Sequence, residues 1–396
     1  MEYITKISGP VSLSIYHFNS VRYYFFGDTH FNDTNRCQPC GSDCIDFVEL
    51  LHAWLNYNNH HGIQTDLFLE SSFTKNEEVK RTDLFIRGTM VDVINSFNPC
   101  LSKNKQYCVY LPHVHVHYAN IRLIKEYNNI YQADPFNIKR LIQFYKTKQI
   151  DLISFYFKIL NDLTLYIEFY IQHVEDILNA FLQPDGFDDY IRTVLKLIEN
   201  FEPELKSLIL NQLTNQNKLI VIRNNQKMHR VAAELQKLSH INPEMAQLIY
   251  QFALFEMKDI VSLQLTSLHL EPLEKINQQL MKPKPPDITK WGTKSLIYYL
   301  EQYQKSFVSL SGLIMDVYTL ARMFYYNQDE VIIFAGHNHI NRYNDFFQLF
   351  LHVDPVLDIG MTHIDSTLKH NEGVNRCLYH EQLPNYLPIA LYNSNF

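Results

Sequence analysis

A dense apolar run leads directly into a Gly-x-x-His motif at Val331-Ile332-Ile333-Phe334-Ala335-Gly336-His337-Asn338-His339. An apolar run of this length that ends at a glycine is typical of a buried strand leaving a sheet. The same pattern occurs near the other end of the chain, where Tyr23-Tyr24-Phe25-Phe26 precedes Gly27-Asp28-Thr29-His30. Because ligands of open α/β sheets collect at the carboxyl ends of strands, the two motif histidines predict a reactive site there.

The composition is that of a globular protein. The chain has 396 residues, of which 46% are hydrophobic, and the length allows about two or three domain-sized units. Glycine is scarce, with 11 residues, so the glycines at the two strand ends indicate turns or close backbone approach.

Charge and hydropathy argue against two classes of partner. The net charge is −7, from 35 basic and 42 acidic residues, so the basic stripe typical of nucleic-acid binding is not expected. Charged residues interrupt the longest apolar stretch, 150–182, and the amino terminus does not have a signal-peptide pattern. We expect a soluble, cytoplasmic protein without a membrane span.

The chain organisation predicts an α/β fold with a mixed sheet that is built from the N- and C-terminal segments. Residues 1–135 form the first half of this domain and 286–396 the second half. Long amphipathic helical patterns fill 136–285, which we interpret as a large all-helical insertion. A proline-rich linker at 282–286 marks its end.

Individual elements follow from the same patterns. The predicted elements are a hairpin of 11–16 and 21–26 around Phe18-Asn19-Ser20, a helix over 44–57, a strand at 66–69, a strand at 107–111, a helix over 293–326, a strand at 330–335 and a short strand within 351–364.

Four polar residues at predicted strand ends form the candidate site: Asp28, His30, Glu70 and His339. Imidazole and carboxylate groups are ligands for zinc, manganese, cobalt or iron, and such an ion can generate a nucleophilic water at neutral pH. Without a metal, Glu70 beside two histidines could still perform acid–base catalysis. The alternative is that these are polar strand ends that face solvent.

The order GDTH, LFLES and AGHNH resembles the superfamily of erythromycin esterase, the ChaN haem-binding lipoprotein and the TIKI/TraB metalloproteases. TIKI/TraB members carry two Gly-x-x-His motifs and a glutamate on an intervening strand. The resemblance implies a metal-dependent hydrolase with His30, His339 and Glu70 at the metal. Asp28 stands where many relatives have glutamate.

Two further groups have metal-ligand spacing. The histidines of His113-x-His115-x-His117 would share one face of a strand and could bind a metal, although Pro112 makes a solvated edge or a loop equally natural. Arg122 follows, and it could orient an anionic substrate or, as we prefer, pair with an acid such as Asp28. Cys37, Cys40 and Cys44 have a spacing compatible with zinc, with a local disulfide or with free thiols.

We therefore expect a metal-dependent hydrolase that acts on a small-molecule or peptide substrate, with Glu70, Asp28 and Arg122 in catalysis. The alternative is a non-enzymatic binding or assembly protein, such as a viral component of host cytoplasm or virion, which retains the fold and could form a homo-oligomer. A haem-binding role is a third option. The sequence contains neither a P-loop nor a Gly-x-Ser-x-Gly elbow.

Overall fold

A computed structural model of the chain describes residues 6–29, 43–70, 89–97, 107–108, 111–119, 241–259, 309, 312–313, 315–325, 328–360, 377–381 and 383–388. The chain divides into two compact units, one made of Met1–Ile121 and Arg322–Phe396 and the other of Arg122–Ala321. Most of the predicted helical insertion, 136–285, lies outside the described residues, so its extent stays a prediction.

The strands of the described residues are, in chain order, β1 (Lys6–Ser8), β2 (Ser12–Phe18), β3 (Val21–Asp28), β4 (Cys44–Asp46), β5 (Thr65–Leu69), β6 (Tyr107–Cys108), β7 (Leu111–Tyr118), β8 (Glu330–Gly336), β9 (Leu357–Ile359) and β10 (Cys377–Tyr379). The helices are α1 (Phe47–His60), α2 (Thr89–Phe97), α3 (Pro243–Asp259), α4 (His337–Asp345) and α5 (Leu383–Tyr386), with a π-helical segment at Phe346–Phe350. Residues 315–323 are also helical. Helix α3 lies in the second unit, within the predicted insertion.

A seven-stranded sheet, in the order β6-β7-β5-β8-β3-β2-β9, forms the centre of the first unit. Strand β8, from the end of the chain, pairs in parallel with β3 on one side and with β5 on the other. Strand β7 is parallel to β5, whereas β2 and β6 are antiparallel to their neighbours. The prediction of an α/β fold with a mixed sheet from both ends of the chain is confirmed. A small second sheet has the order β10-β1-β4.

The predicted hairpin is present and its turn explains its sequence. Strands β2 and β3 pair from Ser12↔Gly27 to Phe18↔Val21, which leaves Asn19 and Ser20 as a two-residue loop. Both loop residues have positive φ, 49° and 67°, as the type I′ turn of a tight hairpin requires. The turn is compatible with the right-handed twist of the two strands.

The two faces of the large sheet pack against different partners. On one face, alternate residues such as Leu67, Val114 and Ile332 join α1 and α2 in the main hydrophobic cluster. On the other face, Phe25 contacts Tyr343 of α4 and Phe347 of the π-helical segment, at ring-centroid distances of 5.9 and 5.2 Å. Strand β8 is buried along its whole length because helices cover both faces.

The start of α1 and the end of the strand predicted at 107–111 differ from the sequence prediction. Helix α1 begins at Phe47 rather than Cys44, because Asp46 caps it by accepting a hydrogen bond from the Val48 N–H at 2.9 Å. The strand predicted at 107–111 stops at Cys108, and the histidine segment is itself the strand β7, with β6 beside it. Of the two alternatives left open for the histidine segment, the structure has the strand: Pro112 is the second residue of β7, where a missing N–H costs little.

Within the described segments, we find no helix with the length and apolar character that crossing a membrane demands.

Candidate metal and active site

The carboxyl ends of β3, β8 and β5 place three predicted site residues along one edge of the sheet. Asp28 is the last residue of β3 and is paired with Gly336, while Glu70 directly follows β5. His339 lies in the first turn of α4, which begins directly after β8. The side chains of Asp28, Glu70 and His339 are all buried, although each is charged or polar.

Glu70 and His339 are brought together by the strand-to-helix turn at Gly336. The Glu70 carboxylate accepts a hydrogen bond from the backbone N–H of Gly336, with Oε2 2.7 Å from the nitrogen. Its other oxygen, Oε1, lies 3.5 Å from Nε2 of His339. The Glu70 N–H also donates to the carbonyl of Phe334, at 3.1 Å. Glu70 is therefore anchored at both its backbone and its side chain.

The other histidine of this motif faces away from Glu70. His337 Nδ1 lies 2.9 Å from Oγ of Ser12, which is on β2, two strands from β8 on the side opposite β5. Burial lowers the pKa of His337, although Asp358 opposes this effect. Gly27 leaves the space for the contact between His337 and Ser12. A side chain at this position would place its Cβ 2.2 Å from Ser12 Oγ and 3.2 Å from His337 Nδ1.

The remaining predicted site residues, His30 and Arg122, lie outside the described residues. The roles expected of them, as a metal ligand and as a catalytic or bracing residue, stay predictions. The same holds for Cys37 and Cys40. Cys44 takes part in a disulfide, and a disulfide sulfur is not the thiolate that a zinc site requires. A zinc site that includes Cys44 is therefore not supported.

A second cluster of ligand-type residues lies further back in the sheet. Strand β7 runs parallel to β5 with His115 opposite Asp66, and His117 is opposite Phe68. Asp66 Oδ1 lies 3.0 Å from His115 Nδ1 and 3.2 Å from His117 Nε2. One ligand atom from each of Asp66, His115 and His117 lies within 4.8 Å of the others, so this group could hold a metal ion.

The electrostatics of this cluster favour a charged carboxylate at Asp66 and a neutral imidazole at His117. Burial alone would raise the pKa of Asp66, but the charge that His117 carries when it is protonated and hydrogen bonds from both histidines outweigh burial and lower that pKa to about 2. Burial lowers the pKa of His117, and the nearby charge of Arg322 lowers it further, against the effect of Asp66. A neutral imidazole offers a lone pair, which is the form that binds metals.

Asp66 was not predicted from the sequence as a site residue. The three histidines of β7 were predicted to share one face and to be able to bind a metal together, but His113 contacts Gln64, with Nδ1 2.7 Å from Nε2 of the amide. The sequence did contain one indication of its role: Asp66 directly precedes the apolar run Leu67-Phe68-Leu69, a position at which burial can be expected. A buried carboxylate needs a charged or hydrogen-bonding partner. The register that pairs Asp66 with His115 could not be read from either strand alone.

Comparisons of the chain with protein-family models, with curated proteins and with solved structures gave no match. The resemblance to the TIKI/TraB and erythromycin esterase superfamily therefore rests on the motif residues and stays a prediction.

Proposed function

We propose that this chain is a metal-dependent hydrolase whose reaction takes place at the carboxyl ends of β3, β8 and β5. The observation that supports it most is the anchored pair of Glu70 and His339, 3.5 Å apart at this edge. Two ligand atoms on one ion with bonds of about 2.1 Å lie about 3.0–3.5 Å apart. The pair thus fits a shared divalent transition ion (zinc, manganese, cobalt or iron), with His30 as the proposed further ligand.

A bound ion of this kind polarises the substrate and lowers the pKa of water. The protein groups do the remaining work. The Gly336 N–H holds Oε2 of Glu70, which leaves Oε1 directed at His339. Because this N–H lies at the start of α4, the positive end of the helix dipole stabilises a negative carboxylate there. Glu70 is in position to ligate the ion or to take a proton from water.

Asp28 supplies a second buried carboxylate at the same edge, two strand spacings or about 10 Å from Glu70. We assign it to proton transfer at the leaving group, and Arg122 to orienting the substrate. Burial of Asp28 and Glu70 excludes water, which strengthens their electrostatic effects. Ester, peptide and phosphoester bonds are all substrates for such a site.

The test is hydrolysis of chromogenic ester, phosphoester and peptide substrates by metal-loaded full-length protein. Glu70→Gln keeps an oxygen acceptor for the Gly336 N–H but removes the charge, so it should fold and lose at least about 100-fold in rate. His339→Gln should behave in the same way. The exposed residues Glu381 and His352 provide matched controls, Glu381→Gln and His352→Asn, which should keep full activity.

Two results would count against the proposal. One is metal-stimulated hydrolysis that is equal in wild type, Glu70→Gln and His339→Gln. The other is the absence of metal-dependent hydrolysis across the substrate panel in folded, metal-loaded wild-type protein, which would favour a non-enzymatic binding protein.

A further inference from the structure

We infer that Asp66, His115 and His117 form a second metal site, which binds a divalent transition ion and cross-links β5 to β7. This site is separate from the proposed active site. Asp66 precedes Glu70 by four residues on the same extended segment, which places their Cα atoms about 13 Å apart. A single ion cannot reach both carboxylates.

The ligand atoms of the three side chains have the spacing of a metal site. Asp66 Oδ1 is 3.0 Å from His115 Nδ1 and 3.2 Å from His117 Nε2, which is the separation that two ligands of one ion adopt. The two imidazole rings are perpendicular, at 89°, so they approach Asp66 from different directions. Two histidines and one carboxylate are a ligand set of zinc and of non-haem iron.

Asp66 occupies a position in the sheet that favours a bound cation. Its side chain is almost fully buried, in a strand that continues as Leu67-Phe68-Leu69, where an ionised carboxylate carries a large desolvation cost. Oδ1 meets both histidines, whereas Oδ2 has no hydrogen-bond donor among the described residues. A cation at this point would offset the cost and could use the second oxygen.

The ring of His117 is held in place before any ion binds. His117 stacks on Phe68, the residue opposite it on β5, with ring centroids 4.5 Å apart and planes 21° apart. Such packing fixes the direction of the lone pair and lowers the entropy lost on binding. His115 is 16% exposed, so an ion can enter from its side.

The location indicates a structural role. The cluster lies within the paired part of β5 and β7, behind the carboxyl ends where substrates of α/β sheets bind. An ion there would tie β7 to the centre of the sheet. Because β6 covers only part of the outer side of β7, the pairing with β5 is the main attachment of this strand among the described elements.

The experiment is a titration of metal-free, full-length protein with Zn²⁺ and, as a spectroscopic probe, with Co²⁺, with Mg²⁺ as the negative control. His115→Gln and Asp66→Asn each remove one proposed ligand with little change in shape. His113→Gln is the matched control, because His113 lies on the same face of β7 but contacts Gln64. Glu70→Gln and His339→Gln test the other site in parallel.

We expect one ion to be lost in His115→Gln and Asp66→Asn and kept in His113→Gln, Glu70→Gln and His339→Gln. At an ion concentration of 100 times Kd, binding at this site should add about 5 °C or more to the thermal midpoint of wild type, and His115→Gln should lose this part of the rise while keeping any rise due to the Glu70–His339 site. If Asp66→Asn fails to fold, His115→Gln decides the result, because His115 is less buried than Asp66. If His113→Gln and His115→Gln bind the same number of ions per chain, the inference is overturned. This outcome does not depend on how many ions Glu70→Gln binds.

Discussion

The Glu70 carboxylate accepts a 2.7 Å hydrogen bond from the Gly336 N–H, which ties the end of β5 to the residue that precedes α4. Glu70 and Gly336 belong to opposite ends of the chain, and each is part of a motif that the sequence displays. The contact leaves the other carboxylate oxygen of Glu70, Oε1, 3.5 Å from Nε2 of His339. One hydrogen bond thus joins the end of β5 to the start of α4 and holds Glu70 beside His339.

Glu330 should be essential for stability. Its buried carboxylate accepts hydrogen bonds from Trp54 Nε1, at 2.9 Å, and from Asn58 Nδ2, at 2.6 Å, and it pairs with Arg22. Glu330→Ala leaves both N–H donors without this acceptor, whereas the half-exposed Arg22 can turn to solvent. We expect a loss of about 2–3 kcal/mol in the free energy of unfolding, measured by urea denaturation.

The exposed Glu381 provides the control for this variant, since Glu381→Ala should change stability by less than about 0.5 kcal/mol. A Glu330→Ala protein as stable as wild type would contradict the role assigned to this carboxylate.

Gly27→Ala should disturb the start of α4. The added Cβ would lie 2.2 Å from Ser12 Oγ and 3.4 Å from the backbone Cα of His337, so either the hydroxyl or the helix must move. We expect a loss of about 1–3 kcal/mol on thermal or urea unfolding. Ser12→Ala removes the nearest atom, so the double variant should be more stable than the sum of the two single changes predicts. Strict additivity would show that the two residues do not compete for space.

The protein should unfold in alkali because of buried tyrosines. Burial raises the pKa of Tyr16, Tyr23 and Tyr24 well above the ordinary value of 10.0. Above about pH 10 these phenols ionise more readily in the unfolded chain than in the folded one, so stability that is complete at neutral pH falls as pH rises.

Absorbance of tyrosinate and circular dichroism, followed from pH 9 to 12.5, provide the measurement. We expect part of the tyrosine ionisation to coincide with unfolding, and Tyr24→Phe should reduce the steepness of the pH dependence. Complete ionisation of all 26 tyrosines around pH 10 in a protein that stays folded would contradict this prediction.

Much of the fold could be predicted from the sequence because the central strands are short apolar runs that end in glycine or a polar residue. Strand β8 and the hairpin of β2 and β3 were predicted closely, since their signals are local. The start of α1 was predicted three residues too early, because the helical periodicity extends to residues that precede the capping residue, Asp46. The sequence did not decide whether the segment of β7 is a strand or a loop, because a proline such as Pro112 is typical of a strand edge or end. Its position as the second residue of the strand could not be read from the sequence.

The candidate site was predictable only in part. Glu70 and His339 were identified from motif spacing, and the contact between them follows from parallel pairing of β5 with β8. Asp66 was missed because its partners depend on which strand lies beside β5 and in which register. The hydrophobic pattern fixes which face of the sheet each side chain takes, but it does not say which strand lies beside β5 or at what offset the two strands pair.

The most direct measurement of the central claim is metal binding by a protein in which the second cluster is disabled. Full-length His115→Gln should bind one Co²⁺ or Zn²⁺ per chain at the pair of Glu70 and His339, as measured by equilibrium titration and elemental analysis. Adding His339→Gln should abolish this binding, whereas adding His352→Asn should leave it unchanged. A folded His115→Gln protein that binds no transition ion, or whose bound ion survives loss of His339, would contradict the account.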